Sequence, residues 1–178
     1  MKFAHVRRGG PYYRVVDPTW NDPSDTSYSK RVGGRWNQPD RPGQSGFGAL
    51  YLNATFEVAR ANAVRHIQSQ FGPQVTFDDF VRSALPQLQY YDVVQTDFVD
   101  LVNRGAVEAL GLPATYPREI PHPPCQEIAA TAYATDEQGL AVLSAVETND
   151  TNEELVIFDR EVNKIAAKRQ RVDFETWY

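Results

Sequence analysis

Residues 33–37 join two glycines to an arginine, a tryptophan and an asparagine, and a strand-like segment further on presents Tyr51. Arginine binds phosphate through a planar fork of donors, and a carboxamide both donates and accepts hydrogen bonds. An indole ring stacks on other rings. The combination of Arg35, Trp36 and Asn37 therefore predicts a site for an anionic ligand that carries a ring, and a nucleotide fits this description.

Each candidate residue also has an ordinary structural interpretation. Arg14 and Arg35 could form surface ion pairs, since arginine is rarely buried without a partner. Tyr51 and Trp36 could pack in the core. Ser144, at the end of a strand-like segment, could be a turn residue. Two arginines near an aromatic cluster favour a phosphate site, but the residue types leave both interpretations open.

Several common kinds of catalytic centre lack their motifs here. His5, His66 and His122 have no metal-ligand spacing on one helix face, and Cys125 has no second cysteine, so we expect no metal site. No P-loop, GxGxxG or GxSxG motif follows a strand-like segment. NTPase, Rossmann and serine hydrolase functions therefore lose support.

Composition predicts one globular domain over residues 1–178, with 42% hydrophobic residues. The net charge of −5 and the pI of about 5.2 argue against direct nucleic-acid binding. A single cysteine allows no internal disulfide and indicates a cytoplasmic protein. No apolar run approaches the roughly 20 residues that span a bilayer, and no signal peptide is visible.

Local patterns predict a mixture of helices and strands. Strands are expected over residues 12–16, 49–53, 88–94, 140–144 and 154–158. Helices are expected over residues 56–71, 76–85, 96–110 and 124–134, and loops over 17–33, 38–48 and 112–124. The C-terminal tail has no clear pattern. Because the elements do not alternate strictly, the fold class is α+β, a single domain with a small mixed sheet flanked by helices.

The helix over residues 56–71 has the strongest local signals. Thr55 is a plausible N-cap, Glu57 in the first turn complements the helix dipole, and Gly72 ends the helix. Apolar side chains repeat at three- and four-residue steps and predict one buried face: Phe56, Ala59, Ala63, Ile67 and Phe71.

This ordered set of motifs resembles the RES-domain family, the toxins of bacterial toxin–antitoxin modules. The shared features are a Tyr-Arg pair, a Gly-Arg-Trp-Asn block, a strand tyrosine and a Ser-Ala pair before an apolar strand. They fall here at Tyr13-Arg14, residues 34–37, Tyr51, Ser144-Ala145 and residues 155–158, with Gln126 and Gly139-Leu140 also in place. The resemblance covers about residues 12–160 and implies a fold like that of ADP-ribosyltransferases.

The resemblance implies an enzyme that breaks the bond between the nicotinamide and ribose of NAD, by phosphorolysis, hydrolysis or transfer of ADP-ribose to a protein. Arg14 and Arg35 would hold phosphates, Tyr51 would orient nicotinamide, and Ser144 would hydrogen-bond ribose or the amide. Trp36 and Asn37 would belong to the nucleotide site. It also implies a cognate antitoxin and possible use of phosphate, while the lack of a long apolar run leads us to expect no membrane partner.

The resemblance has one departure. The family carries a glutamate eleven residues past the strand tyrosine, and this chain has Asn62 there. Glu57 lies more than a turn away. Three interpretations stay open: Asn62 is a natural divergence, it is a substitution that silences the protein, or the position equivalent to the family's glutamate lies elsewhere in this chain. Since an amide has no charge to oppose a cationic ribose, turnover would fall about 10²–10³-fold, and Asn62→Glu would raise NAD consumption.

Two other functions stay open on the sequence. A non-catalytic nucleotide-binding module would keep the pocket without the reaction, and Asn62 favours it. A protein-interaction domain would use the arginines as ordinary ion pairs. The proline-rich loop over residues 113–124 is a candidate contact surface for a partner.

Overall fold

The computed structural model describes residues 1–146 and 152–178. The polar stretch over residues 147–153, which separates the predicted strands at 140–144 and 154–158, falls largely outside these residues. The strands are β1 His5–Val16, β2 Ala49–Asn53, β3 Gln87–Leu101, β4 Gly139–Leu143, β5 Glu153–Phe158 and β6 Ala166–Val172. The helices are α1 Ser27–Val32, α2 Phe56–Phe71, α3 Arg104–Ala109, α4 His122–Ala134, α5 Val162–Ile165 and α6 Phe174–Trp177, with 3₁₀ turns at Phe77–Asp79 and Arg82–Ala84.

The strands form one mixed sheet in the order β1-β2-β5-β4-β3-β6. Only the β3–β4 pair is parallel among the described pairings. Because β1 also pairs with β3, the strands β1, β2, β5, β4 and β3 close into a ring, and β6 extends along β3. The prediction of a mixed sheet with flanking helices is confirmed, and the unassigned tail supplies β6 and α6.

Two apolar clusters lie on opposite faces of the sheet. Leu155 and Ile157 of β5 belong to the cluster on one face, and Val156 and Phe158 pack with α4 on the other. This alternation is the period of two that a strand imposes. Gly139 permits the close β4–β5 pairing, because a Cβ there would lie 2.2 Å from the carbonyl oxygen of Val156.

Helix α2 begins and ends where the sequence predicts. The Thr55 hydroxyl accepts a hydrogen bond from the backbone N–H of Val58 (3.3 Å), and the helix stops at Gly72. The prediction of a buried face along the whole helix is wrong at its end. Val58 and Ala59 are buried, but Phe71 is 60% exposed, because only the first turns pack on the sheet.

Three other local predictions are wrong. The helix expected over residues 96–110 begins only at Arg104, since β3 continues to Leu101. Phe98 is fully buried on one face of the sheet and Val99 and Leu101 on the other, and this tertiary burial outweighs local helix propensity. The loop expected over residues 17–33 contains α1, and the segment 76–85 holds two 3₁₀ turns instead of one helix.

Replacing Phe98 tests the dependence of the fold on β3. Phe98 is fully buried, so Phe98→Ala should lower the free energy of unfolding by about 3–5 kcal/mol. Val94 on the same strand is 57% exposed, and Val94→Ala should change stability by less than about 0.5 kcal/mol. Urea unfolding of the two variants measures both values. Equal losses would contradict the burial pattern of β3.

Candidate active-site cleft

The motif at residues 34–37 folds as a tight turn fastened to β2. The N–H of Gly34 donates to the carbonyl of Asn37 (3.0 Å). The Tyr51 hydroxyl accepts from the backbone N–H of Trp36 (3.0 Å) and donates to Oδ1 of Asn37 (2.8 Å). The side-chain N–H₂ of Asn37 donates to two backbone carbonyls, at 2.7 and 3.2 Å. One phenol and one amide therefore fix the path of four residues.

These contacts determine what the motif side chains can touch. Trp36 and Asn37 are buried and pack against the protein itself, and neither lines the cleft described below. Gly34 leaves room for the clasp, because a Cβ there would lie 2.6 Å from the Tyr51 hydroxyl. Gln126 of α4 closes the turn from the other side by donating to the carbonyl of Gly34 (2.7 Å). The turn thus has a positioning role.

Arg35 is the side chain that this turn presents. Its guanidinium donates to the carbonyl oxygen of Pro117. It also lies 5.8 Å from the ring centre of Tyr116 and 5.9 Å from that of Trp36. Within the described ranges Arg35 has no ion-pair partner. A guanidinium held by rings and a carbonyl keeps its charge available for an anion.

The proline-rich loop forms one wall of the same cleft. Tyr116 anchors it, donating to the carbonyl of Leu101 (2.9 Å) and accepting from the N–H of Leu143 (2.8 Å). This anchor places Pro117, Glu119 and Ile120 along the cleft. The loop therefore contributes directly to the lining of the cleft.

The cleft has a volume of about 500 Å³, within the range of ligand sites in general. Its lining is mostly polar and comes from α2, the proline-rich loop, the start of α4 and the ends of β4 and β5. The lining residues are Arg35, Asn62, Arg65, His66, Ser69, Pro117, Glu119, Ile120, His122, Ser144, Ala145 and Glu154.

A hydrogen-bonded cluster forms the floor of the cleft. The Asn62 amide donates to Oδ1 of Asn53 (2.7 Å) and to the Glu154 carboxylate. Its carbonyl oxygen lies 3.2 Å from the Ser144 hydroxyl, which is also within hydrogen-bond reach of Glu154, and the one hydroxyl proton serves one of these two acceptors at a time. Asn53 is fixed in turn, because its amide donates to the carbonyl of Tyr13 (3.0 Å). The Asn62 side chain thus uses both amide N–H donors and its carbonyl oxygen within this cluster.

Burial raises the pKa of the Glu154 carboxyl, while hydrogen bonds from Ser144 and Asn62 and the charges of Arg35 and Arg65 oppose this shift. The two effects act on the same group, since burial disfavours the ionised form and the donors favour it. Glu154 is therefore a buried carboxyl group with two hydrogen-bond donors in contact and two arginine charges nearby.

The sequence did not identify Glu154 as a site residue. It starts a predicted strand, where an acidic side chain usually points to solvent. The register of the sheet places Glu154 directly opposite Asn53 of β2, on the face that α2 covers. The doubled acidic pair at 153–154 is a signal, because adjacent strand residues point to opposite faces and one of them must face the covered side.

The structure brings Arg35, Asn62 and Ser144 together, but it places Arg14 elsewhere. The Arg14 guanidinium lies 5.4 Å from the ring centre of Trp20, and Arg14 is not among the described residues that line the cleft. Burial lowers its pKa. Tyr51 likewise reaches the cleft only through the turn that it holds. Of the predicted site residues, Arg35, Asn62 and Ser144 line this cleft.

The RES domain family matches residues 11–176, and the chain belongs to this family. A solved structure with a similar fold is the M. tuberculosis MbcT-MbcA toxin-antitoxin complex, with a TM-score of 0.78 and 24% identity. The match covers 96% of this chain and 86% of the matched chain. No curated protein sequence matches this chain.

Two absences hold for residues 1–146 and 152–178. No group of three or more histidine, cysteine, aspartate or glutamate side chains is arranged to hold a metal ion. None of the helices there combines the length and the apolar character needed to cross a membrane.

The Tyr51 clasp can be tested by removing one oxygen atom. Tyr51→Phe leaves the Trp36 N–H and the Asn37 carbonyl oxygen without their partner, so the free energy of unfolding should fall by about 1–3 kcal/mol. Tyr28 is 56% exposed, and Tyr28→Phe should change it by less than about 0.5 kcal/mol. Thermal and urea unfolding measure both. If Tyr51→Phe were as stable as the wild type, the hydrogen bonds of the Tyr51 hydroxyl would not be what holds the turn in place.

Proposed function

We propose that this chain is a toxin-like enzyme that breaks the bond between nicotinamide and ribose in NAD. The observation that carries the proposal is one cleft with a preorganised guanidinium, Arg35, on its wall and a hydroxyl and a carboxyl, Ser144 and Glu154, on its floor. The ADP-ribose then passes to phosphate, to water or to a protein side chain. An ADP-ribosyltransferase-like fold is part of this proposal.

The arrangement suits the charges of the substrate. The pyrophosphate of NAD is anionic, and Arg35 with the exposed Arg65 gives the cleft a positive side. Ser144 is 3% exposed and sits beside the carboxyl, where it can hydrogen-bond a ribose hydroxyl. The bond that breaks leaves positive charge on ribose, as in glycoside hydrolysis, so fixed polar groups at this point lower the barrier.

The motif residues divide into two roles under this proposal. Arg35 and Ser144 contact NAD directly. Trp36, Asn37 and Tyr51 position Arg35 through the buried turn, and their side chains are already occupied by protein partners. Arg14 lies outside the cleft beside the ring of Trp20, so the phosphate contact that the family resemblance implies for it is not part of this proposal.

We also infer that a cognate antitoxin binds this chain in the cytoplasm. The similar solved structure is a toxin-antitoxin complex. The proline-rich loop forms a wall of the cleft and exposes Arg118 and Glu119. A protein that covered this loop would also restrict access to the cleft, which is a direct way to inhibit the enzyme.

Incubation with NAD, with and without inorganic phosphate, followed by chromatography and mass spectrometry, tests the activity. ADP-ribose 1″-phosphate formed only with phosphate identifies a phosphorylase, and free ADP-ribose in both samples identifies a hydrolase. Modified protein identifies a transferase. If calorimetry shows that NAD binds but it stays intact, the protein is a non-catalytic nucleotide-binding module and the proposed activity is wrong. Absence of binding would favour a protein-interaction domain.

Arg35→Ala should reduce NAD consumption by about 10²–10³-fold, because it removes the charge aimed at the phosphates from a preorganised site. Arg31→Ala is the matched control, since Arg31 is an exposed arginine four residues earlier and loses the same charge. Its activity should stay within about twofold. Equal losses in the two variants would mean that overall charge, and not the cleft, governs the reaction.

A further inference from the structure

Glu153 and Glu154 stand side by side at the start of β5 and face opposite sides of the sheet. Arg8 holds Glu153 in a two-point ion pair, with Nε and Nη2 at 2.5 and 2.9 Å from its oxygens. Glu154 points into the cleft, and across the described ranges no arginine or lysine pairs with it directly. One carboxylate is thus neutralised and structural, and the other is held in the site.

Glu154 differs from the other acidic residue of the cleft. Glu119 is exposed on the proline-rich loop. Glu154 stands on a strand whose neighbours, β2 and β4, pair with it on both sides, so its backbone cannot move independently. The amide of Asn62 and the hydroxyl of Ser144 hold its side chain. Groups that stabilise a transition state need this kind of fixed orientation.

We propose that Glu154 is the catalytic carboxylate of this enzyme, and that it opposes the positive charge formed on the ribose of NAD. The inference rests on the proposed function. As the bond from ribose C1′ to the nicotinamide nitrogen breaks, both electrons leave with nicotinamide, which becomes neutral, and the ribose becomes an oxocarbenium ion. A lone pair of a phosphate or water oxygen then forms the new bond to C1′, and water loses a proton to solvent.

This assignment accounts for Asn62. The hydrogen bond between Asn62 and Glu154 needs one donor and one acceptor, and the amide is the donor. A carboxylate on α2 could not donate this bond to a carboxylate on β5. The negative charge that position 62 lacks is therefore carried by Glu154, the acceptor of this hydrogen bond. Asn62 acts as a positioning residue that holds the Glu154 carboxylate.

The neighbouring carboxylate also reverses the expectation for Asn62→Glu. Two carboxylates in contact cannot both ionise at low cost, so this single change should lower activity and stability instead of raising NAD consumption. The double variant Asn62→Glu/Glu154→Gln keeps one carboxylate and one amide in contact but exchanges their positions. The carboxylate then stands on α2, and the amide that donates to it stands on β5.

The decisive measurements are kcat and KM for NAD in four purified variants, with circular dichroism to verify folding. Glu154→Gln should lower kcat by about 10²–10³-fold and change KM by less than about threefold, since the charge acts mainly in the transition state. Asn62→Glu/Glu154→Gln should recover at least about tenfold over Glu154→Gln. Asn62→Glu alone should stay below the wild type. Glu57→Gln, an exposed carboxylate on the same helix, should leave kcat within about twofold.

The outcomes separate this inference from the proposed function. Wild-type turnover with an equally active Glu154→Gln would overturn the role of Glu154 and leave the NAD-cleaving function intact. A gain of activity in Asn62→Glu alone would return the catalytic charge to α2 and also overturn it. A wild-type protein that binds NAD without consuming it overturns the catalytic carboxylate while keeping the nucleotide site. Absence of NAD binding overturns both proposals.

Discussion

The cleft depends on the hydroxyl of Tyr51, which ties the turn at residues 34–37 to the sheet. This one group accepts a hydrogen bond from the backbone of Trp36 and donates one to the side chain of Asn37. These two hydrogen bonds fix the backbone immediately after Arg35, and so they set the direction in which the Arg35 side chain points. A guanidinium placed by buried neighbours loses little conformational freedom when it binds an anion, which is the benefit of preorganisation.

The sheet applies the same constraint to the opposite side of the cleft. Asn53 and Glu154 are directly opposed on β2 and β5, and Tyr51 is opposed to Val156. The residue that holds the turn and the residue that holds the polar floor are therefore two positions apart on one five-residue strand. A one-residue shift of β5 against β2 would turn Glu154 to the other face of the sheet and away from Arg35.

Local signals in the sequence were sufficient for elements whose burial and propensity agree. The cap at Thr55 and the stop at Gly72 predicted α2, and the apolar runs predicted β2, β4 and β5. The second half of β3 was not predictable in this way, since its identity as a strand depends on pairing with β1 and β4, which are distant in sequence. The motifs indicated Arg35 and Ser144, but not that Trp36 and Asn37 would be buried.

The role proposed for Glu154 illustrates why the charge of a site is hard to locate by counting along a sequence motif. A site needs a charge at a point in space, and that point can be reached from α2 or from β5 because the two elements meet there. Asn62 and Glu154 are 92 positions apart, yet they share one hydrogen bond. Exchanging an acid and an amide across such a bond conserves the local charge and the number of donors. A sequence pattern that expects an acid at position 62 therefore finds none, whereas the folded cleft contains an acid at position 154.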